Sequence, residues 1–167
     1  METATNVEVN VKVGDSVFFR SLGTIYKVLA DSVKGTAGIV EHTLEPHSLG
    51  APMHKHTRED EISYVLEGEL CVIQNGNIQK AGPGPFVVKP REIFHTFWNA
   101  GQKIVRFIEF ITPGEFQYYF AEMEPYLRPG QPPQMDQVRA TAAKYGLVVD
   151  PYAADEIVKQ YGLKPLS

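Results

Sequence analysis

Between residues 14 and 112 the chain is a succession of short runs rich in Val, Ile, Phe and Tyr, at 24–30, 38–44, 62–66, 70–74 and 104–111. Gly, Pro, Asn or Asp interrupts them at regular intervals. Short strands punctuated in this way predict an all-β sandwich or barrel rather than alternating strand–helix units. One hairpin is explicit. Residues 70–74 and 77–80 flank Asn75-Gly76, a pair suited to a two-residue type I′ turn because both central positions need φ > 0. Gly82-Pro83-Gly84-Pro85 then breaks the pattern before a further apolar run at 86–88.

After Pro113 the period changes. Phe116, Tyr119, Phe120 and Met123 recur at i, i+3, i+4 and i+7, one face of a helix. A Pro- and Gly-rich connector at 127–133 leads to a second helix expected over 134–145, with Met135, Val138, Ala142 and Tyr145 on one stripe and Gly146 as its stop. Asp150-Pro151 has the form of an N-cap followed by proline, and predicts a last helix ending near Tyr161. The expected organisation is a β-barrel with an N-terminal strand over 1–113 and a helical extension over 114–167 packed on it.

With 167 residues the chain has the length of one domain, and 43% hydrophobic against 22% charged residues is a globular composition, not a disordered one. Twenty acidic against sixteen basic residues argue against nucleic acid as a partner, which would need clustered Lys and Arg. No apolar run reaches the roughly 18–20 residues of a membrane span. Residues 1–10 are polar, without the basic-then-apolar pattern of a secretory signal. Cys71 is the single cysteine, so it forms no disulfide within the chain and reads as a small buried hydrophobe. A reducing, cytoplasmic setting is the expectation.

Four of the five histidines fall between Glu41 and His56. His54 and His56 flank Lys55, and in a strand residues two apart share a face. Both imidazoles can then reach one ligand, with Glu61 five residues on and His95 in a later strand-like segment. Imidazole and carboxylate donors converging within an apolar β-scaffold make a transition-metal site. The plainer reading is histidines of surface or core. His42, in mid-strand, and His47, in a turn, are assigned that reading.

What separates the two readings is the company these residues keep. The stretch from Gly50 through His54-Lys55-His56, four residues, Glu61, six residues and Gly68 resembles the first cupin motif. The stretch Gly84, five residues, Pro90-Arg91-Glu92, two residues, His95, three residues and Asn99 resembles the second. Two departures stand out. Gly50 lies two residues closer to the histidines than the family pattern has it, and Glu92 occupies a position that the family gives to glycine, where a tight turn uses φ > 0. The resemblance implies a mainly β cupin barrel (double-stranded β-helix, or jelly roll) with C-terminal helices. It also implies a metal held by residues matching His54, His56, Glu61 and His95. Only Glu61 satisfies both motif spacings, which leaves Glu59 and Asp60 as solvated or supporting carboxylates.

Three neutral imidazoles and one carboxylate suit a divalent Fe, Ni, Mn, Co or Cu, and Zn is compatible. Alternation places Ser63 and Val65 on the side of Glu61, and Phe97 and Asn99 on the side of His95, as candidates to line a pocket or fill the barrel. Phe116, Tyr118, Tyr119 and Phe120 either roof that pocket or pack the helix on the barrel or on a second subunit. Within the family the chain is similar to small single-domain cupins of the quercetin 2,3-dioxygenase kind. That likeness implies a metal-dependent dioxygenase acting with O2 on a flavonol-like or other enolisable aromatic molecule, Glu61 serving as general base. A non-oxidative cupin enzyme (lyase or isomerase) and a non-catalytic ligand-binding cupin are the alternatives. A homodimer is expected, the alternating residues 7–13 adding to a neighbour's sheet.

Overall fold

A computed structural model describes residues 9–164. Asn75 and Gly76 take φ of 49° and 74°, and the turn they make joins β7 (Leu70–Gln74) to β8 (Asn77–Ala81) in antiparallel register, Gln74 opposite Asn77. The predicted hairpin is present, and its turn chemistry is the reason.

Two antiparallel sheets make up the fold. The first runs β1 (Ser16–Phe19), β2 (Leu22–Val28), β3 (Gly38–Leu44), β11 (Val105–Thr112), β6 (Asp60–Glu67) and β9 (Phe86–Lys89). The second runs β12 (Leu147–Asp150), β5 (Met53–His56), β10 (His95–Asn99), β7 and β8, with the two-residue β4 (Ser48–Leu49) also paired to β10. The inner faces meet around Tyr26, Val40, Leu44, Val65, Val72, Phe107 and Ile111, all buried. Strand alternation makes this possible. In β6, Glu61, Ser63 and Val65 are buried while Asp60, Ile62 and Tyr64 are partly exposed.

β10 departs from that alternation, because all five of its residues are buried. His95, Phe97 and Asn99 belong to one face. Trp98, on the other, packs with Leu49 and Cys71 against Ala154, Ile157 and Leu163 of the C-terminal tail. A sheet covered on both faces has no polar side to show. Cys71 is fully buried there, as its hydrophobic reading anticipates.

The tail contains helices α1 (Tyr118–Met123), α2 (Met135–Lys144) and α3 (Asp155–Tyr161). It also contains an element the sequence reading does not anticipate. β12 extends the second sheet by pairing with β5, Leu147 opposite His56 and Val149 opposite His54. Asp150 does not cap α3. Its carboxylate accepts hydrogen bonds from the amides of Tyr152 and Ala153, closing a local turn, and the helix begins only at Asp155. The Asx turn competes with the cap for the same carboxylate, and β12 holds Asp150 in the sheet. At the other terminus the expected strand over 7–13 falls partly outside the described residues; residues 9–13 carry no strand. Among the described residues no helix is long and apolar enough to cross a membrane.

Candidate metal centre

β5 carries His54 and His56 inward, and its partner β10 places His95 directly opposite His54. Glu61 enters from β6 in the facing sheet. The four side chains are buried, and one ligand atom from each lies within 4.8 Å of all the others. Nε2 of His56 and Nε2 of His95 both stand 3.4 Å from the same oxygen, Oε2 of Glu61.

The outer nitrogens explain why the inner ones are available. Nδ1 of His54 donates to the carbonyl of Pro52 at 2.8 Å, and Nδ1 of His95 to the carbonyl of Ile93 at 3.1 Å. A carbonyl only accepts, so Nδ1 bears the proton and Nε2 presents its lone pair. His56 turns Nδ1 toward Glu59, 3.6 Å away. Glu59 is itself buried and supports the ring rather than facing water. Asp60 lies apart and pairs with Arg91 at 2.7 Å.

Both nitrogens of His56 and Nε2 of His95 are enclosed without a hydrogen-bond partner among the described residues. Buried polar atoms are seldom left so. Three imidazoles and a carboxylate with free lone pairs aimed at one point fit a divalent transition ion, and the cluster could hold one. The electrostatics point the same way. Burial works against a charge on His54 and His95 and lowers both. Burial opposes a proton on His56 too, but the Glu61 and Glu59 carboxylates outweigh it and raise that ring to about 9. A cation bound at these atoms displaces that proton.

One group was not legible as part of this centre. Lys89, at the end of β9, is fully buried. Its ammonium donates to Glu109 at 2.7 Å and reaches Glu61 at 3.1 Å, while Ser63 donates to Glu109 at 3.0 Å. Burial resists ionisation of Glu61, yet Lys89 and His56 overcome it and keep the carboxyl well below the ordinary range. Burial pushes Glu109 up, to about 7. A lysine inside a barrel is rare unless paired, so nothing in Val-Val-Lys-Pro signals it. The alternation of β11, which buries Phe107, Glu109 and Ile111, is the one signal that could have drawn attention to Glu109.

Residues 40–111 match the family model for the Cupin domain, a span that contains all four residues of the cluster. Over that span the chain is similar to a cupin domain. Solved structures agree on the fold. KdgF from Halomonas sp. is 21% identical with a TM-score of 0.53, covering 59% of this chain and 86% of its own. A predicted oxalate decarboxylase from Thermotoga maritima is 24% identical with a TM-score of 0.51, covering 55% and 79%. The nucleoside dehydratase Pac13 from Streptomyces is 13% identical with a TM-score of 0.51, covering 66% and 84%. No curated protein matches the chain in sequence.

Within this cupin-like span the turn before His95 forms with Glu92 where the family pattern has glycine. Glu92 takes φ of 64°, at a cost of roughly 1 kcal/mol for a residue with a Cβ. Two bonds offset it. The Glu92 amide donates to the carbonyl of His56 at 2.7 Å, and its carboxylate pairs with Lys55 at 2.5 Å.

A cavity of about 380 Å³ leads away from the cluster. It is lined by His54, Glu61, Glu109 and His42, by the aromatic residues Phe97, Phe116, Tyr119 and Phe120, and by Val138, Ala142, Leu147 and Val158 of the tail. The aromatic helix therefore does both things considered for it. Phe116 and Phe120 are buried against the barrel, and they also face the cavity, with the Phe116 ring 4.3 Å from that of His56. Of the four alternation candidates, Phe97 lines the cavity. Val65 fills the core. Ser63 serves Glu109. Asn99 donates to the carbonyls of Leu44 and Lys103 and holds a loop instead. His42 is structural as expected, bonded to Thr24 and Gly23, though its ring also borders the cavity.

Proposed function

We propose that this cupin is a metal-dependent enzyme, a dioxygenase acting on a flavonol-like or other enolisable aromatic molecule. The observation that carries the reading is the set of unsatisfied imidazole nitrogens around Glu61 at the closed end of an apolar cavity. His54, His56, Glu61 and His95 would hold the ion. When bound, it supplies Lewis acidity and a fixed orientation for an enolic oxygen. The remaining work falls to the chain's own groups. Phe97, Phe116 and Phe120 bind the apolar body and exclude water. The Glu61 carboxylate, kept ionised beside Lys89, accepts the proton of the substrate hydroxyl at Oε, within the hydrogen-bond reach that general base catalysis requires. Lys89 and Glu109 steady the charge that this transfer moves.

The Lys89–Glu109 pair supports a second reading, a non-oxidative lyase or isomerase, because it offers a further proton-handling carboxyl, Glu109, in the cavity lining. Protein purified without a metal-affinity tag and reconstituted with each candidate ion distinguishes them. Oxygen consumption is expected with at least one member of a catechol, flavonol and diketone panel. Metal-dependent turnover that persists under strict anaerobiosis would favour the second reading, and ligand recovered unchanged in both conditions would leave a binding protein. The same reading includes a cytoplasmic homodimer. A sedimentation mass of one chain removes the dimer.

A further inference from the structure

The cavity lining includes one arginine, Arg20, that the metal centre does not use. β1 and β2 pair with Phe19 opposite Leu22, so the hairpin turn between them consists of Arg20 and Ser21. Arg20 stands at φ of 57°, a left-handed conformation that glycine or asparagine adopts at less cost. Ser21 secures the turn by donating to the carbonyl of Leu49 at 3.1 Å. A strained residue at a turn that glycine would relax is a reason to ask what its side chain does.

Arg20 lines the cavity with Phe19, Tyr119 and Leu127, and also borders a small neighbouring pocket with Arg128. Its Nη1 is enclosed and has no hydrogen-bond partner among the described residues. The other arginines are satisfied. Arg91 bonds Asp60, Arg106 bonds Glu41, Arg128 faces Glu124, Arg139 bonds Asp136, and Arg58 bonds the carbonyl of Lys144. Burial lowers the Arg20 pKa, yet a guanidinium stays charged at neutral pH. The acidic groups of the lining are committed or remote. Glu61 and Glu109 share Lys89, and Asp155 is exposed on the tail.

We infer that Arg20 is the anchor for the carboxylate of the ligand, so that the cavity takes an apolar or aromatic organic monoanion rather than a neutral molecule. The inference rests on the cavity being the substrate site and narrows that reading to enolisable aromatic acids, setting uncharged flavonols aside. A planar guanidinium with unpaired N–H groups matches a carboxylate in a bidentate pair, and an apolar wall strengthens the bond. One guanidinium balances one negative charge, which favours a carboxylate over a doubly charged phosphate. The far end of the same molecule then reaches the histidine cluster.

Calorimetric titration of phenylpyruvate and its uncharged methyl ester tests this on the full chain, as purified and after chelation of metal. The anion is expected to bind at least about tenfold more tightly than the ester in both preparations. Arg20→Gly should remove that preference while the thermal midpoint holds or rises, because glycine relaxes the turn. Arg20→Lys should restore part of the preference. Equal binding of anion and ester by the native chain overturns the inference, as does absence of binding by either. So does an Arg20→Gly protein that keeps the preference, or one that loses both ligands together with its fold. A preference present only before chelation assigns the carboxylate to the metal and also overturns it. Failure of the oxygenase reading is separate: it appears as absent O2 consumption with the Arg20-dependent binding intact.

Discussion

The two ends of the cavity are built by different physics. At the closed end, His54 and His95 are oriented by the carbonyls of Pro52 and Ile93, two residues earlier in the chain and just before their strands, and strand pairing brings them face to face. At the open end the wall comes from a tail distant in sequence, seated by apolar contacts and a four-residue strand. Local bonds fix the chemistry, and long-range packing fixes the access. Perturbing one end should therefore leave the other largely intact.

The largest expected effect lies at the closed end. His54→Ala or His95→Ala should weaken metal retention by more than about a hundredfold, beyond the 10–100-fold typical of losing a supporting partner. Elemental analysis reads this directly, and unchanged metal content would refute the centre. Lys89→Met should come next. It strands two buried carboxyl groups without their cation and is expected to cost about 3–5 kcal/mol in denaturant unfolding. Adding Glu109→Gln should recover part of that loss. If the single variant is neutral, the interior is wetter than the burial of Lys89 suggests.

His42 sharpens the comparison through pH. Burial holds its pKa at about 4, against about 6.5 in the unfolded chain. The folded state resists a proton that the unfolded state takes up. Its stabilising contribution is therefore whole above pH 6.5 and falls as the pH drops toward 4, by about 3 kcal/mol. His42→Gln should flatten that part of the stability profile; an unchanged slope would assign it to other groups. The smallest effect is expected at the tail. Gly146 has φ of 69°, and a Cβ there would lie 2.5 Å from Oγ1 of Thr57. Gly146→Ala should cost about 1–2 kcal/mol and loosen β12 without changing metal content. Loss of metal in that variant would show that the two ends are coupled after all.

Much of the closed end is legible in sequence because its determinants are local. His54 and His56 share a face by strand period alone. Asn75-Gly76 names its own turn. The spacing of Glu61 and His95 carries the cupin resemblance, which the family match over 40–111 supports. β12 was not legible. Leu147–Asp150 is only four residues long, and its strand state exists because β5 offers it an open edge. The exchange at position 92 was visible as a departure, but whether the turn would survive depended on the Lys55 ammonium and the His56 carbonyl, which only folding brings near.

Sequence by itself determined the strand punctuation, the helical period after Pro113, and which residue types stand at the ligand spacings. These are properties of neighbours along the chain, where backbone sterics and side-chain period act without tertiary help. The fold alone decided that Lys89 is buried between Glu61 and Glu109, that β10 is covered on both faces, and that Arg20 lines the cavity with an enclosed Nη1. Each of those depends on what another segment places opposite, and a charged side chain reveals in sequence only its charge, not the partner or the lack of one that it meets inside.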